Sequence, residues 1–300
     1  MGYILITGGG GFIGSKLVEY ISTVSDKEPS QILLLSSKPS TQHNYILHKN
    51  YLFTSQDFLA KGYDCIDIVI HAGAFTPKHS KEANYYDENY SNVSNTHHLL
   101  NQLPNIPKKI IFISSLDVYQ HTTEIIDEQT PIEPSGFYGT CKFFCEKMVE
   151  QWCLQNNCIP QILRLGHIYG EGEESYKKLI PETIRNIKQN KNPVIQSAGN
   201  EKRSYLHVND CVKAIWHSLL LEKNVGPINV VSNRPYSIKD IMEILINIST
   251  KSLKTEILNK GIPVWDMVFN NSKMEKYLAF ERKNFVEGLK EEFYNFNITK

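Results

Sequence analysis

Tyr138 and Lys142 stand four residues apart at the point where a segment with helical spacing, Cys141–Cys153, begins. Side chains at positions i and i+4 lie on one face of a helix. A phenol is too weak an acid to exchange protons at neutral pH, but a neighbouring ammonium favours its ionised form. The pair therefore predicts proton transfer to or from a bound molecule, although a Tyr-x-x-x-Lys pair alone is more often a surface feature.

A hydroxyl group for the same site follows an apolar run, Ile110–Ser114, which has the character of a buried strand. The segment that continues from it, Ser114–Tyr119, places Ser115 at the end of that strand. A serine in this position can hold an oxygen atom of the substrate while Tyr138 exchanges the proton.

The first strand-like segment, Tyr3–Thr7, runs into four consecutive glycines before a helix-like segment begins at Phe12. In such a turn one glycine permits a tight reversal, one lets the backbone approach a pyrophosphate, and one lets the helix pack closely on the strand. The phosphates then accept hydrogen bonds from the N–H groups at the helix start. Two registers fit this pattern, Gly8/Gly11/Gly14 and Gly9/Gly11/Gly14. The loop predicts a dinucleotide site rather than a P-loop, because Gly14-Ser15-Lys16 reverses the Gly-Lys-Ser/Thr order.

The second strand-like segment, Gln31–Leu35, ends in Ser36-Ser37-Lys38. A site that selects NAD usually carries an acidic residue at this point, which accepts hydrogen bonds from the ribose 2′-hydroxyl. Hydroxyls and a lysine can instead donate to a 2′-phosphate, which a carboxylate would repel. We therefore expect NADP, with NAD as the alternative; the competing interpretation makes Lys38 only a solvated loop charge.

Short, nearly continuous apolar runs alternate with longer segments of helical spacing over the first part of the chain. The runs are Tyr3–Thr7, Ile32–Leu35, Tyr51–Phe53, Ile66–His71, Ile110–Ser114 and Gln161–Arg164. Helical stripes between them include Phe12–Ile21 and Val93–Leu103. This alternation predicts an α/β fold with a Rossmann-like, doubly wound parallel sheet.

The pattern changes after Tyr169, where a polar, turn-like segment begins. Helical patterns follow at Tyr176–Gln189, Asp210–Leu221, Ser237–Ile248 and Phe285–Phe296, with a strand-like run at Ile228–Val231. We expect an NAD(P)-binding domain over residues 1–169 and a smaller C-terminal substrate-binding lobe over residues 170–300, with the chain crossing between them. The lobe should rest against the carboxyl edge of the sheet, where open α/β sheets bind ligands.

The composition argues against several classes of protein. Lys+Arg and Asp+Glu both number 32, so no net positive charge attracts a nucleic acid. No apolar run approaches the roughly 20 residues that span a bilayer, and the first residues lack the order of a secretory signal. Six cysteines without a C-x-x-C pair, and an adjacent His97-His98, predict neither a disulfide framework nor a metal site. We expect a cytoplasmic protein that binds no nucleic acid, membrane or metal.

Ordered motifs over nearly the whole chain resemble those of the extended short-chain dehydrogenase/reductases, the NAD-dependent epimerase/dehydratase family that modifies nucleotide sugars. The motifs are Thr7–Gly14 (T-G-x-x-G-F-I-G), Asp57-Phe58, His71–Ala74, Asn92–Thr96, Ser114–Tyr119 (S-S-x-x-V-Y), Tyr138–Lys142 (Y-G-x-S-K), Arg164–Gly170 (R-x-x-N-x-Y-G) and Arg203–Asp210 (R-x-F-x-H-V-x-D).

This resemblance implies a catalytic triad in which Tyr138 is the acid/base and Ser115 binds the reacting sugar oxygen. Lys142 would bind the nicotinamide ribose and lower the pKa of Tyr138, and a hydride would pass between the nicotinamide and a sugar carbon. The implied cofactor-binding residues are Gly8, Gly11, Phe12, Ile13, Gly14, Ser36, Ser37, Lys38, Asp57, Phe58, Ala72, Gly73, Ala74, Asn92 and Lys142. The implied contacts of the nucleotide-diphosphate sugar are Thr76, Asp117, His167 and Arg203, with Arg203 on the diphosphate. Many relatives form homodimers, for which the helices at Val93–Leu103 and Phe143–Trp152 are candidates.

Departures from the family pattern bear on the activity. Leu116 and Asp117 stand where 4,6-dehydratases carry an acid and a glutamate base, which disfavours dehydration although Asp117 can still take a proton. His167 replaces the usual asparagine, which leaves the contact there open. The missing acid after Leu35 favours a 4-keto (6-deoxy) sugar-nucleotide reductase, and a 4-epimerase with tightly bound NAD is the alternative. A non-catalytic dinucleotide-binding protein is disfavoured because the triad is complete.

Overall fold

The computed structural model describes residues 2–24, 31–120, 122, 124–261 and 263–298, and it places a parallel sheet at the centre of the chain. The strands are β1 Tyr3–Thr7, β2 Ile32–Ser36, β3 Asn44–Leu47, β4 Ile66–His71, β5 Lys109–Ser115, β6 Ile159–Leu165, β7 His167–Tyr169, β8 Val194–Ile195, β9 Lys202–His207, β10 Ile228–Val230, β11 Pro235–Ser237 and β12 Glu256–Ile257. Seven of them form the central sheet in the order β10-β6-β5-β4-β1-β2-β3, with every neighbouring pair parallel. The predicted α/β, Rossmann-like fold is confirmed.

Helices cover both faces of this sheet, which is why its strands are apolar almost throughout. The helices are α1 Phe12–Val24, α2 Ser55–Leu59, α3 Tyr86–Gln102, α4 Phe137–Gln155, α5 Leu179–Lys188, α6 Val208–Leu219, α7 Ile238–Ser249, α8 Ser272–Tyr277 and α9 Phe285–Asn295. One apolar core joins the sheet to α1, α6 and α8, and a second core on the opposite face joins it to α2, α3 and α4.

The strand order reverses beside β1, where β4 lies on one side and β2 on the other. The connections that leave β1 and β4 therefore turn to opposite faces of the sheet and leave a crevice at the carboxyl ends of the strands. Strands β1 and β4 run side by side up to Thr7 and His71. This register brings the glycine loop after β1 against the segment after β4.

A third apolar core lies above this carboxyl edge and contains residues of α5, α7 and α9. A three-stranded sheet in the order β11-β9-β7 accompanies it, and β8 pairs with β12 in a separate two-stranded ribbon. Polar N-caps begin two of these helices: the Ser237 side chain accepts from the Asp240 N–H in a capping box at the start of α7, and that of Asn284 accepts from the Val286 N–H at the start of α9.

Two elements from beyond residue 170 pack with the central sheet instead of with this third core. Strand β10 pairs in parallel with β6, and α6 contributes Cys211, Val212 and Ile215 to the core beneath α1. A single boundary at residue 169 therefore misplaces these two elements, because the chain returns to the sheet after its first excursion. The division into residues 1–169 and 170–300 stays a prediction in other respects.

The strand predicted at Tyr51–Phe53 is wrong, because the sheet takes Asn44–Leu47 as β3 instead. Asn50 and Tyr51 have φ angles of 51° and 63°, which is left-handed backbone that no strand contains. Aromatic residues occur here because Tyr51 and Phe53 pack their rings against each other, 5.4 Å apart, and Phe53 is buried in the core under α2 and α3. The apolar run therefore corresponds to a turn that packs on the core and not to a strand.

Candidate active site

A cleft of about 1000 Å³ opens at the carboxyl edge of the central sheet. Its walls come from the glycine loop, the ends of β4 and β5, the start of α4, the β6–β7 region and the start of α5. Elements of the central sheet and of the third core thus face each other across it. A concave site at a topological switch point is where a doubly wound sheet binds its ligands.

The glycine loop forms one wall. Two of its positions require glycine because neighbouring backbone atoms leave no room for a Cβ atom. Gly8 has a φ of +72°, and a Cβ atom on it would lie 2.6 Å from the Cα of Gly73. A Cβ on Gly14 would lie 2.0 Å from the Gly8 carbonyl oxygen, whereas one on Gly10 would meet nothing within 4 Å. The constraints favour the Gly8/Gly11/Gly14 register, with Phe12 and Ile13 also lining the cleft. A cradle this close to a helix N-terminus fits a dinucleotide pyrophosphate.

A buried histidine fixes this cradle from below. The Nδ1 of His71 lies 2.7 Å from the Thr7 hydroxyl, and its Nε2 lies 3.0 Å from that of Thr96. Thr7 also accepts the N–H of Gly73 at 2.8 Å, which ties the segments after β1 and β4 together. Burial lowers the pKa of His71 to about 3, so the imidazole is neutral. Thr96 donates its own proton to the Asn92 carbonyl, so His71 must donate from Nε2 and accept at Nδ1.

The hydroxyl groups of Ser115 and Tyr138 meet on the floor of the cleft. Ser115 ends β5 and caps the short 3₁₀ helix Leu116–Val118, and Tyr138 lies in the first turn of α4. The hydroxyls of Ser115 and Thr76 lie close enough to the Tyr138 hydroxyl for each to act on its pKa. Gly139 makes this meeting possible, because a Cβ at that position would lie 2.0 Å from the Asp117 carbonyl oxygen. The first turn of α4 can therefore pack directly on the segment after β5.

Lys142 follows one turn later on α4 and is fully enclosed. Its Nζ donates to the Ile113 carbonyl at 2.5 Å and lies 4.7 Å from the centre of the Phe112 ring. Burial lowers the pKa of Lys142 to about 8. The side chain lines the cleft with Ser115 and Tyr138, so the structure brings the predicted triad to one place.

The expected lowering of the Tyr138 pKa by Lys142 is not found. Burial raises the pKa of Tyr138 above its usual range, and the negative charge of Asp117 raises it further. Hydrogen bonds from Thr76 and Ser115 act in the opposite direction but do not outweigh burial. The ammonium of Lys142 is engaged with a backbone carbonyl, so it does not reach the phenol as the sequence suggested.

A buried ion pair holds α4 to the sheet beneath the triad. Arg164 on β6 donates from Nε and Nη2 to the two carboxylate oxygens of Glu146, at 2.9 and 2.7 Å. Ser114, the neighbour of Ser115, donates to the same carboxylate at 2.5 Å. A third nitrogen of Arg164 donates to the Tyr119 hydroxyl at 2.8 Å. Because both charges are paired and bonded, this network fixes the relative position of β5, β6 and α4.

Several predicted cofactor contacts do not line the cleft. The Ser36 hydroxyl donates a hydrogen bond to the backbone carbonyl of Lys38 at 2.8 Å. Ser37 and Lys38 are exposed on the surface. Asp57 caps α2 by accepting the Thr54 N–H at 2.7 Å. Phe58 has no exposed surface and is part of the core, so a ligand cannot touch it. The Asp-Phe pair resembles an adenine contact in sequence, but here it performs a structural task.

Asn92 also acts inside the protein, where it holds the segment after β4 that lines the cleft. Its amide exchanges two hydrogen bonds with the backbone of Phe75, at 2.7 and 3.0 Å. This shapes the segment after β4, whose residues Ala72, Gly73, Ala74 and Thr76 do line the cleft. Asn92 is therefore placed to position that wall of the cofactor site from within.

The predicted substrate residues lie on two sides of the cleft: Thr76 and Asp117 follow β4 and β5, whereas His167 and Arg203 belong to the opposite wall. Asp117 and His167 line the cleft, and the His167 ring lies 5.3 Å from that of Tyr205. Burial, and then the charges of Arg203 and Lys178, lower the pKa of His167 to about 3. Arg203 is thus near the cleft, although its Nη1 donates to the carbonyls of Lys202 and Trp265 at 2.8 and 2.6 Å.

Sequence reasoning missed several residues of this wall. Lys177 and Lys178 stand immediately before α5, and Tyr176 and Tyr205 line the same part of the cleft. Two lysines directly before a helix start are a signal for an anion site that the sequence did contain. The aromatic residues gave no such signal, because only the fold brings them to the cleft.

A pair of buried carboxyl groups supports the same wall from behind. Glu173 lines the cleft and is 3% exposed, and Glu292 on α9 is 2% exposed. The two carboxyl groups are close enough for the charge of Glu173 to act on Glu292. Burial raises the pKa of Glu173 to about 7, and burial together with the charge of Glu173 raises that of Glu292 well above its usual range. Two such groups cannot both be ionised, so the pair holds a proton at neutral pH.

Over the part of the chain that the structure describes, no group of three or more His, Cys, Asp or Glu side chains is arranged to hold a metal ion. Within the same described residues, no helix combines the length and the apolar character needed to cross a bilayer.

Comparison with known proteins agrees with this arrangement. The profile of the NAD dependent epimerase/dehydratase family matches residues 4–231, so the chain belongs to that family. A putative UDP-glucose 4-epimerase of Methanocaldococcus jannaschii is 27% identical over 93% of this chain and 90% of that protein. A dTDP-D-glucose 4,6-dehydratase of Dictyostelium discoideum is 28% identical over 82% of this chain but only 62% of its own length, so the chain spans less than two thirds of that relative.

Among solved structures, a UDP-glucuronic acid 4-epimerase of Bacillus cereus, in complex with UDP-glucuronic acid and NAD, superimposes with a TM-score of 0.83. The likeness covers 98% of both chains at 22% sequence identity. At this identity the likeness shows a common fold, and the activity has to be argued from the site.

Proposed function

We propose that this protein is a nucleotide-sugar 4-epimerase that holds NAD tightly and acts on a UDP-hexose. The observation that carries the proposal is the meeting of the Ser115 and Tyr138 hydroxyls beside the glycine cradle, with Lys142 on the same helix face. The relatives and structural neighbours are 4-epimerases and 4,6-dehydratases, and none of those described above is a reductase. The 4-epimerase therefore replaces the 4-keto sugar reductase favoured by the sequence.

NAD replaces NADP in this proposal for two reasons. The family is described by its dependence on NAD, and the B. cereus neighbour was solved with NAD. The Ser36 hydroxyl, which the sequence offered to a 2′-phosphate, instead closes a turn onto the backbone of Lys38. NAD, when bound, supplies a hydride acceptor that returns the hydride within the same turnover.

The side chains on the cleft floor have separate tasks. Tyr138 is placed to exchange a proton with the sugar C4 hydroxyl, while Ser115 hydrogen-bonds the same oxygen. This role requires the pKa of the Tyr138 phenol to fall when the positively charged nicotinamide of NAD binds. Lys142, held by the Ile113 carbonyl, is placed for the ribose of the cofactor. Lys177, Lys178 and the start of α5 provide positive charge and backbone N–H groups for the diphosphate, with Arg203 nearby.

A 4,6-dehydratase is the second candidate, because the carboxylate of Asp117 lies 3.0 Å from the Ser115 hydroxyl and could accept a proton from C5. Elimination of water also needs an acid for the leaving hydroxyl. The neighbouring position is Leu116, which is 4% exposed and packs in an apolar cluster with Val118 and Phe269. The 4-epimerase needs no such acid and fits the cleft floor better.

A homodimer remains part of the proposal. Helices α3 and α4 pack against each other and expose four large side chains, Tyr86, Tyr90, Phe144 and Leu154. Light scattering coupled to size-exclusion chromatography should give a mass of two chains. The Phe144→Glu variant should give the mass of a single chain.

The proposal is tested with the purified protein and no added cofactor. Denaturation followed by mass spectrometry should release NAD, and incubation with UDP-glucose should produce UDP-galactose, followed by proton NMR. A protein that emerges without NAD, leaves UDP-glucose unchanged and oxidises NADPH with a 4-keto sugar nucleotide is a reductase and contradicts the proposal. Conversion of UDP-glucose or dTDP-glucose to a 4-keto-6-deoxy product would instead establish the dehydratase.

A further inference from the structure

A carboxylate lies within one hydrogen bond of the group that holds the reacting oxygen. The Ser115 hydroxyl donates to Oδ2 of Asp117 at 3.0 Å, and the backbone N–H of Asp117 donates back to Ser115 Oγ at 3.2 Å. Asp117 is exposed to the cleft, and its charge is felt by Tyr138. The negative charge is thus part of the surface on which the sugar must sit.

The backbone that carries this carboxylate cannot move away. Leu116 and Val118, on either side of Asp117, are buried in an apolar cluster. The Asp117 carbonyl is in close contact with Gly139 on α4, where a Cβ atom would come within 2.0 Å of it. Only rotation of the side chain is left, and Ser115 restrains that rotation.

No cation neutralises this charge among the residues that the structure describes. No Lys, Arg or His nitrogen of theirs forms an ion pair with Asp117. The ammonium of Lys142 is buried and donates to the Ile113 carbonyl. Lys178 lies over the ring of Tyr176 at 5.0 Å, close enough to His167 to shift its pKa, and therefore on the side proposed for the diphosphate.

The charge has a consequence for the substituent at C5 of the sugar. If C4 reacts at Ser115 and Tyr138, the C6 group is attached to the next ring carbon and comes within reach of Asp117, whose carboxylate lies 3.0 Å from the Ser115 hydroxyl. A C6 carboxylate would face a like charge in the cleft, and repulsion between charges closer than about 8 Å is only weakly screened by salt. A C6 hydroxymethyl group is neutral and can donate a hydrogen bond to the carboxylate.

We propose that Asp117 is a specificity-determining residue that selects sugar nucleotides uncharged at C6, hexoses and N-acetylhexosamines, and rejects uronates. This inference rests on the proposed function, because it assumes that C4 reacts at Ser115 and Tyr138. It distinguishes the chain from its structural neighbour, which was solved with a uronate.

Binding is measured by calorimetry in the Tyr138→Phe protein, so that the result does not depend on which reaction the wild type catalyses. UDP-glucose should bind at least about 10-fold more tightly than UDP-glucuronic acid, and Asp117→Asn in the same background should remove most of that ratio by improving the uronate. The ratio should also shrink as salt is raised. The matched control is Glu82→Gln, a cleft carboxylate already paired with His79 at 3.1 Å, which should leave the ratio unchanged.

Each outcome has a separate meaning. Equal binding of the two ligands, or an unchanged ratio in Asp117→Asn, overturns the role of Asp117 and leaves the proposed function standing. Tight binding of UDP-glucose with the expected ratio, but no interconversion by the wild type, overturns the proposed function alone. Binding of neither ligand overturns both.

Discussion

The two walls of the cleft are built in different ways. The cofactor wall, formed by the loop after β1 and the segment after β4, depends on backbone atoms that approach to the limit of contact at Gly8, Gly14 and Gly73. The opposite wall, from Gly170 to the start of α5, depends on side chains that come from distant parts of the chain, such as Tyr205 and Glu292. The residues of the cofactor wall can therefore be predicted from local sequence spacing, whereas those of the opposite wall cannot.

The floor between the walls should carry the largest effect. Tyr138→Phe removes the proton acceptor but keeps the ring that fills the same space, so we expect kcat to fall by at least about 10³-fold. Bound NAD, measured after denaturation, should stay near one per chain, because the cradle is untouched. A variant that retains a tenth of the wild-type kcat would show that another group takes the proton.

Breaking the cofactor wall should give the next largest effect. In Gly14→Ala the new methyl group would lie 2.0 Å from the Gly8 carbonyl oxygen, so helix and loop must separate. We expect retained NAD to fall by about 10²-fold, together with a lower melting temperature. Gly10→Ala is the matched control, since its methyl group would meet nothing within 4 Å and should leave both quantities unchanged. Equal losses in the two variants would contradict the contact argument.

On the opposite wall the effect of a single cation should be smaller. Arg203→Ala should raise KM for the sugar nucleotide about 10-fold with little change in kcat, because a diphosphate contact is present in both ground state and transition state. Steady-state kinetics with Arg234→Ala as control will show this, since Arg234 is exposed on the turn between β10 and β11. A loss in kcat with unchanged KM would place Arg203 at the reacting carbon instead.

The carboxyl pair behind that wall should give the smallest effect, which develops as the pH rises above the ordinary carboxyl range. Folding raises the pKa of Glu173 to about 7 and that of Glu292 above its usual range. The folded state then holds protons that the unfolded chain releases. The contribution of this pair to the free energy of unfolding is therefore greatest below the ordinary carboxyl range, and it falls as the pH rises through about 7.

Glu292→Gln keeps a hydrogen-bonding group and removes one of the charges. The melting temperature of the wild type should drop by a few degrees more than that of the variant between pH 6 and pH 9, measured by calorimetry at about 2–4 °C per kcal/mol. The charges of Lys178 and Glu174 also face Glu173, and they act on its pKa in opposite directions. Parallel curves for the two proteins would mean that the pair does not share a proton.

The sequence predicted those parts of the fold and site that depend on local spacing. Short segments with a clear residue pattern account for the strand–helix alternation, the Gly8/Gly11/Gly14 register and the proximity of Ser115 to Tyr138. The positions of β10 and α6 could not be predicted, because their apolar faces fit either core and only the packing of the whole chain decides.

The predicted cofactor contacts that lie outside the cleft share a physical feature. Asp57 and Phe58 are residue types suited to an adenine contact. The Asp57 carboxylate instead accepts a hydrogen bond from the Thr54 N–H at the start of α2, and the Phe58 ring is buried in the core. Ser36 has a hydroxyl suited to a phosphate, yet the backbone two residues later accepts it. A polar side chain in a short loop satisfies its own turn first, and sequence alone cannot tell that use from ligand binding.

The fate of the hydrogen on C4 tests the proposed reaction most directly. UDP-glucose carrying deuterium at C4 is incubated with the purified protein, and the product is examined by NMR and mass spectrometry. A 4-epimerase that returns the hydride within one active site should give UDP-galactose with the deuterium still at C4. Deuterium found at C6, or replaced by hydrogen from added NADPH, would contradict a 4-epimerase.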